Sequence, residues 1–244
     1  MNAPNMLIVP QNWAENLILV RSHIAAAAAG AGREPTQITL VAVSKAQPLD
    51  AIRAVHALGI ADFGESYPQE ALAKIEALAG ETLRWHFIGH IQSNKTRVIA
   101  ERFAWVHSLE RAQIARRLSA QRPFHAPPLN VCLQVKLGQE PTKAGVSPEM
   151  LKPLADEVAG LERIRLRGLM CLPPASADVI QQRRWFARLR ELRSELNGAG
   201  HTLDVLSMGM SGDYEAAVLE GATHLRIGTA IFGARPEVGT FQRS

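Results

Sequence analysis

The stretch QITLVAVSKAQPLDAI, residues 37–52, holds one strand, one turn and the start of one helix. Ile38, Leu40, Val41 and Val43 form an apolar, β-branched run that stops abruptly at Ser44 and Lys45, and Pro48 opens the amphipathic run PLDAIRAVHALG. The strand is continuously apolar rather than alternating, the pattern of a strand buried on both faces of a parallel sheet. Seven further apolar runs repeat the unit: ADFGES, LRWHFIGH, WVHSL, NVCLQVKL, IRLRGLMCLPP, LDVLSMGM and HLRIGTAIFG. Each leads into a helical stretch, the last into a short tail. Pro48, Pro68 and Pro148 stand where first helical turns begin, and Gly59, Gly80 and Gly221 where helices stop. Eight strand-then-helix units in about 200 residues favour a single (β/α)8 TIM-type barrel, spanning about 37–235. An additional N-terminal helix covers about 12–30, including the run Ala25–Ala29. No linker or composition break divides the 244 residues, so one domain is expected. Periodicity alone leaves an open sheet of six or seven strands as the alternative.

Composition sets the bounds. The chain is 47% hydrophobic and 20% charged, ordinary for a soluble enzyme-sized globule. No apolar stretch approaches the roughly 18–20 residues of a membrane span. The start MNAPNMLIVPQNW lacks the basic opening and long apolar core of a signal peptide, so a cytoplasmic address is expected. Cys132 and Cys171 both sit in apolar runs and read as small buried hydrophobes, not a disulfide framework. The net charge of +4 comes from arginines scattered along helix faces, as in QQRRWFARLRELRSEL, which describes a solvated basic surface and not a nucleic-acid groove. The eight histidines show no metal-ligand spacing, and no metal is assigned.

In a barrel of this kind the chemistry collects at the carboxyl ends of the strands. Lys45 lies at that end of the first strand. A desolvated lysine has a depressed pKa, and its neutral amine attacks an aldehyde or ketone. The carbonyl could belong to a sugar phosphate, as in aldolases, or to pyridoxal phosphate. The seventh and eighth loops favour a phosphorylated ligand: LSMGMSGD brings Ser207, Gly209 and Ser211, and RIGTAIFG brings Gly228 and Thr229. Glycines let backbone N–H groups approach and hydroxyls add donors, as in the phosphate sites after strands 7 and 8 of such barrels. Arg226 sits in the eighth strand just before that cradle and requires an acceptor, either structurally, from Asp204 or Glu65, or functionally, from a pyridine nitrogen. Arginine keeps its proton, so a pyridine facing it would stay unprotonated and serve poorly as an electron sink. Ser66, Tyr67, His86 and His90 are weaker rim candidates, and Lys143 reads as a surface amine.

The stretches LVAVSKAQP, FGESYPQE, WHFIGHIQSNK, GLMCLPP and LSMGMSGDYEAAVLEGATHLRIGTAIFGAR together resemble the pyridoxal phosphate homeostasis protein family (YggS/PROSC type), in order from about Leu40 to Arg235. The resemblance implies a barrel similar to the N-terminal domain of alanine racemase, with pyridoxal 5′-phosphate (PLP) held as an internal aldimine on Lys45. It implies that Ser207, Met210, Ser211, Gly228 and Thr229 surround the phosphate and that Arg226 meets the ring nitrogen. Ser66 and His86 complete the expected cofactor-binding set, with Ser66 standing where the family usually has Asn. Cys171 takes a position that is often Thr or Ala. A carrier or buffer of PLP with little turnover is the function so implied, delivering to PLP-dependent apoenzymes; an amino-acid racemase-like enzyme is the alternative. Two-base racemisation needs a second acid/base, which in alanine racemase involves a further domain, and the sequence shows no such domain after the eighth strand. A monomer is expected for the same reason.

Overall fold

The computed structural model describes residues 12–138 and 144–234; Lys143 and Arg235 lie outside the described residues. The elements are α1 (Trp13–Gly30), β1 (Thr39–Val43), α2 (Leu49–Ala57), β2 (Asp62–Glu65), α3 (Pro68–Ala77) and β3 (Arg84–Phe87). Next come α4 (Thr96–Arg102), β4 (Trp105–Leu109), α5 (Ala112–Gln121), β5 (Leu129–Val135), α6 (Pro148–Ala159) and β6 (Ile164–Cys171). The remainder is α7 (Val179–Gly198), β7 (Val205–Ser207), α8 (Tyr214–Leu219), β8 (His224–Ile227) and α9 (Thr229–Phe232). Every strand is parallel to its neighbours, and β1 pairs with β8 from Thr39↔His224 to Ala42↔Ile227, which closes the barrel. The open-sheet alternative is thereby removed.

Local chemistry sets the boundaries. Pro68 and Pro148 occupy first helical turns, whereas Pro48 is the residue that caps α2. Gly59 and Gly221 take φ of 90° and 93° just beyond α2 and α8, the left-handed conformation that ends a helix. Asn12 caps α1 by accepting from the Glu15 N–H. That helix docks on the last quarter of the barrel: Asn16 donates to the Ile231 carbonyl at 3.0 Å, and Arg33 donates to the carbonyls of Val218 and Ala222. Among the described residues no helix is long and apolar enough to cross a membrane.

The apolar core is a shell between strands and helices, with Ala42, Phe63, Phe87, Val106, Leu133, Leu169, Leu206 and Leu225 facing outward from the strands into it. The lumen differs. A small separate cluster of Trp105, Cys132, Met170 and Val205 shares it with His86, His107, His224, Ser207 and Arg226. The rings of His86, His107 and His224 lie 5.7, 5.8 and 4.9 Å from that of Trp105. Barrel lumens are ordinarily filled by branched aliphatic side chains; here imidazoles and an indole do that work.

Burial holds His86 and His107 below their usual pKa, and takes His224 down to about 3. Each titrates near 6.5 in the unfolded chain, which therefore binds protons that the folded barrel refuses. The resulting stability is complete above about pH 6.5 and declines as pH falls, by about 1.4 kcal/mol per unit for each histidine. Urea unfolding followed by circular dichroism should show a clearly lower midpoint at about pH 5.5 than at about pH 7.5, a window in which most carboxylates are still ionised. Equal midpoints would mean that the lumen histidines are protonated in the folded state.

Candidate functional site

The turn after β1 carries Lys45, and its shape is imposed by a buried ionic cluster. Ala46 adopts φ of 60°, a left-handed conformation that is costly for a residue with a Cβ. Its N–H donates to Glu70 Oε1 at 2.6 Å. Lys74 Nζ donates to the Ser44 carbonyl at 2.7 Å, to Glu65 Oε1 at 2.8 Å and to Glu70 Oε1 at 2.6 Å. Ser44 Oγ donates to Glu65 Oε1 at 2.6 Å, and Glu65 Oε2 is buried with no hydrogen-bond partner among the described residues. Burial pushes the Glu65 carboxyl above its usual range, although Lys74 and Ser44 pull the other way. One ammonium thus ties the first helix of the second β/α unit to the strand end that presents Lys45.

Lys45 is half-buried and lines a cavity of about 340 Å³ at the carboxyl ends of the strands. Its lining is apolar at Val43, Ile88 and Leu172 and polar at Ser211, Gly212, Gly228 and Thr229, which come from the seventh and eighth loops. Ser66, Met210 and Arg226 complete it. Gly212 has no atom within 4 Å of where a Cβ would sit, so the space beside its Cα is open, while its carbonyl accepts from Gln182 at 3.3 Å. Gly209 holds the loop in place: its φ is 94°, and a Cβ there would come within 2.7 Å of the Ala217 Cβ. Asp213 accepts from the Met210 N–H at 2.6 Å, and Ser211 Oγ accepts from the Ala230 N–H at 3.2 Å, joining the two loops. Ser66 is set by a close approach, since a Cβ on Gly89 would lie 2.1 Å from the Ser66 carbonyl oxygen.

Arg226 is 4% exposed and is held by neutral acceptors: it donates to Ser207 Oγ at 2.6 Å and to the Cys171 carbonyl at 2.9 Å. Neither carboxylate that the sequence suggested is its partner. Asp204 is taken by a fork from Arg167, and Glu65 belongs to Lys74. Burial lowers the Arg226 pKa from its usual value. Cys171 is buried, and desolvation takes its thiol up to about 12, as it does for Cys132. Neither thiol is a nucleophile.

A larger cavity, about 680 Å³, lies at the opposite end of the barrel, but its cations are engaged: Arg84 with Asp62, and Arg21 with the Leu58 carbonyl. The chain matches the family "Alanine racemase, N-terminal domain" over residues 15–236. It is 57% identical over 222 residues to the pyridoxal phosphate homeostasis protein of Pseudomonas aeruginosa, covering 91% of this chain and 95% of that one. The Escherichia coli protein of the same name is 46% identical over 225 residues, with 91% and 96% covered. The chain belongs to the pyridoxal phosphate homeostasis protein family. Among solved structures, PipY of Synechococcus elongatus with PLP bound is similar at a TM-score of 0.81 and 37% identity, over 91% of this chain and 100% of that one. An alanine racemase from Corynebacterium glutamicum shares the fold at a TM-score of 0.66 and 16% identity, over 92% of this chain and 63% of that one.

Of the residues singled out in this member of the pyridoxal phosphate homeostasis family, the cavity gathers Lys45, Ser66, Met210, Ser211, Arg226, Gly228 and Thr229. It does not gather His86 or Ser207. His86 lies inside the lumen and not on the rim, because strand alternation turns Phe87 outward against Phe103 and His86 inward. Ser207 ends β7 and reaches Arg226 instead of the cavity. Tyr67 and His90 are largely exposed and line no part of it. Sequence reasoning missed Gly89, Ala46 and the Glu65–Lys74–Glu70 cluster; the spacing of Glu70 and Lys74, one helical turn apart, was the available signal. Replacing Lys74 by Met leaves two carboxylates facing each other without their cation and should lower unfolding stability by about 3–5 kcal/mol. Denaturant titration measures this, and a loss below about 1 kcal/mol would show that the cluster is hydrated.

Proposed function

We propose that this protein binds PLP in the cavity at the carboxyl end of the barrel and serves in intracellular PLP homeostasis as a carrier rather than a catalyst. The observation that carries the reading is Arg226, a buried cation on the cavity wall whose hydrogen-bond acceptors among the described residues are neutral, sharing that cavity with a half-buried lysine. The residues present fit the cofactor. A pyridine nitrogen offers the lone pair that such a guanidinium accommodates, and the open space beside Gly212 with the hydroxyls of Ser211 and Thr229 suits a phosphate. Val43, Ile88 and Leu172 supply apolar contact for a ring. The name and bound ligand of the relatives support the same assignment.

When bound, PLP supplies an electrophilic aldehyde and an electron-withdrawing ring. Lys45, the lysine of the cavity lining, would hold the aldehyde carbon covalently. Arg226 holds its own proton and would leave a ring nitrogen facing it unprotonated, which would weaken the ring as an electron sink. Two-base proton transfer needs a second acid or base opposite the lysine. Among the described residues lining the cavity there is no carboxylate, imidazole, thiol or phenol. Both features support binding with little turnover, and PLP-dependent apoenzymes are the acceptors this function calls for.

Two variants test the reading. Lys45→Ala should remove the near-visible absorbance of the PLP-loaded protein and its borohydride-trapped adduct while leaving the far-ultraviolet dichroism intact, because the side chain lies on the rim. An adduct mapping to another lysine would move the site. Arg226→Glu places a carboxylate able to share a proton with the pyridine nitrogen, so slow transamination of bound PLP by an added amino acid should accelerate at least tenfold, about 1.4 kcal/mol of barrier. An unchanged rate would detach Arg226 from the ring.

A further inference from the structure

Arg226 is the upper end of a polar column that runs the height of the lumen. At the bottom, Arg84 forks onto Asp62, Nε to Oδ1 at 2.7 Å and a terminal nitrogen to Oδ2 at 2.6 Å. His86 Nε2 lies 2.9 Å from Asp62 Oδ1, and His86 Nδ1 lies 2.9 Å from His107 Nε2. His107 Nδ1 lies 2.7 Å from Ser207 Oγ, which accepts from Arg226 at 2.6 Å. Strands β4 and β7 are not neighbours, so the His107–Ser207 contact crosses the lumen. His86, His107 and Ser207 have no exposed surface.

The two ends dictate where every proton sits. Asp62, held well below the usual carboxylate range by Arg84 and His86 against the cost of burial, only accepts, so His86 must present Nε2–H to it. His86 Nδ1 is then an acceptor and takes the Nε2–H of His107, whose Nδ1 is left as an acceptor. At the other end, Ser207 Oγ receives the Arg226 N–H and turns its own hydrogen to that same Nδ1. Both ends therefore demand the same tautomer of both neutral imidazoles, and the bonds run head to tail from the Arg226 cation to the Asp62 anion. We propose that Asp62, His86, His107 and Ser207 are positioning residues for Arg226, a one-way hydrogen-bond relay that fixes the guanidinium against the cavity. The identity of the group it faces rests on the PLP reading above; the relay itself does not.

An added proton breaks the direction of the column at one of two places. On His86 it would turn round the bonds to His107 and to Ser207, and on His107 Nδ1 only the bond to Ser207; either way Ser207 Oγ would receive two donors and lose its own acceptor. The groups facing His86 are Asp62 and Arg84 at its foot, with His107 and His224 beside it; those facing His107 are His86, His224 and Arg226. Outside Asp62, whose charge Arg84 already shares, these are cations or bases, and they oppose the extra proton as burial does.

The test is made on the PLP-free protein by two-bond ¹H–¹⁵N correlation of labelled imidazoles, which distinguishes the tautomers. His86 and His107 should both show the neutral Nε2–H pattern without titrating from about pH 6 to about pH 8. The opposite tautomer in either ring, or a titration in that range, overturns the relay. Asp62→Ala should release both rings into tautomer mixtures, whereas Asp62→Asn, which keeps an acceptor oxygen, should restore the wild-type pattern. Ser207→Ala should release His107 from the other end, so the coupling is read even where Asp62→Ala does not fold. In the loaded protein, Asp62→Ala or, if it is unfolded, His86→Gln should hasten PLP release about tenfold. Release at the wild-type rate with altered tautomers overturns the positioning role. Wild-type protein that takes up no PLP fails the proposed function alone, with the imidazole spectra still deciding the relay.

Discussion

A guanidinium sealed inside a closed barrel, hydrogen-bonded among the described residues to neutral groups and to no carboxylate, constrains the rest of the molecule. Arg226 cannot shed its proton, and an isolated buried cation is expensive. The fold answers with dipoles: a hydroxyl from β7 and a carbonyl at the end of β6 accept two of its N–H groups. Satisfying the hydroxyl in turn engages His107, then His86 and Asp62, so a charge at the mouth is balanced by one at the opposite end. The lumen had to be polar to allow this, and aromatic and imidazole rings fill volume that aliphatic side chains occupy in other barrels.

The β1 end of the site follows the opposite strategy. There a buried ammonium meets two carboxylates directly, and the cluster bends the backbone into a left-handed residue beside Lys45. Truncating any one member strands the others, so the turn is rigid at the cost of tolerance to substitution. Dipoles around Arg226 and full charges around Lys74 thus anchor two cationic side chains of one cavity to different parts of the shell.

The barrel was legible because eight continuously apolar runs, each followed by a helical pattern, leave little else to build, and WVHSL coincides with β4 from Trp105 to Leu109. The rim was legible where a polar or glycine-rich stretch interrupts an apolar one, as at Lys45 and at Ser211 to Thr229. What failed has a physical reason. His86 was placed on the rim because a strand's last residue cannot be known to one position, and a shift of one exchanges inside for outside. For Arg226 the sequence offers a carboxylate, Asp204 or Glu65, beside a pyridine nitrogen, because charge pairing is the simplest rule; it does not show that Arg167 and Lys74 have claimed both carboxylates. The lumen column draws on β2, β3, β4 and β7, and only closure of the barrel makes them meet.

The docking of α1 has a consequence for how the rim behaves as a mechanical object. The helix, through Asn16, and the turn after it, through Arg33, grip the carbonyls of Ile231, Val218 and Ala222, which flank the last strand and the two loops that line the cavity. It acts as a clasp across the seam where the first and last strands meet, the one place where the chain's topology supplies no continuous crossover to hold neighbours together. Strain applied at the amino-terminal helix therefore reaches the side of the mouth built from the seventh and eighth loops, whereas the turn that carries Lys45 is tied separately, through Lys74.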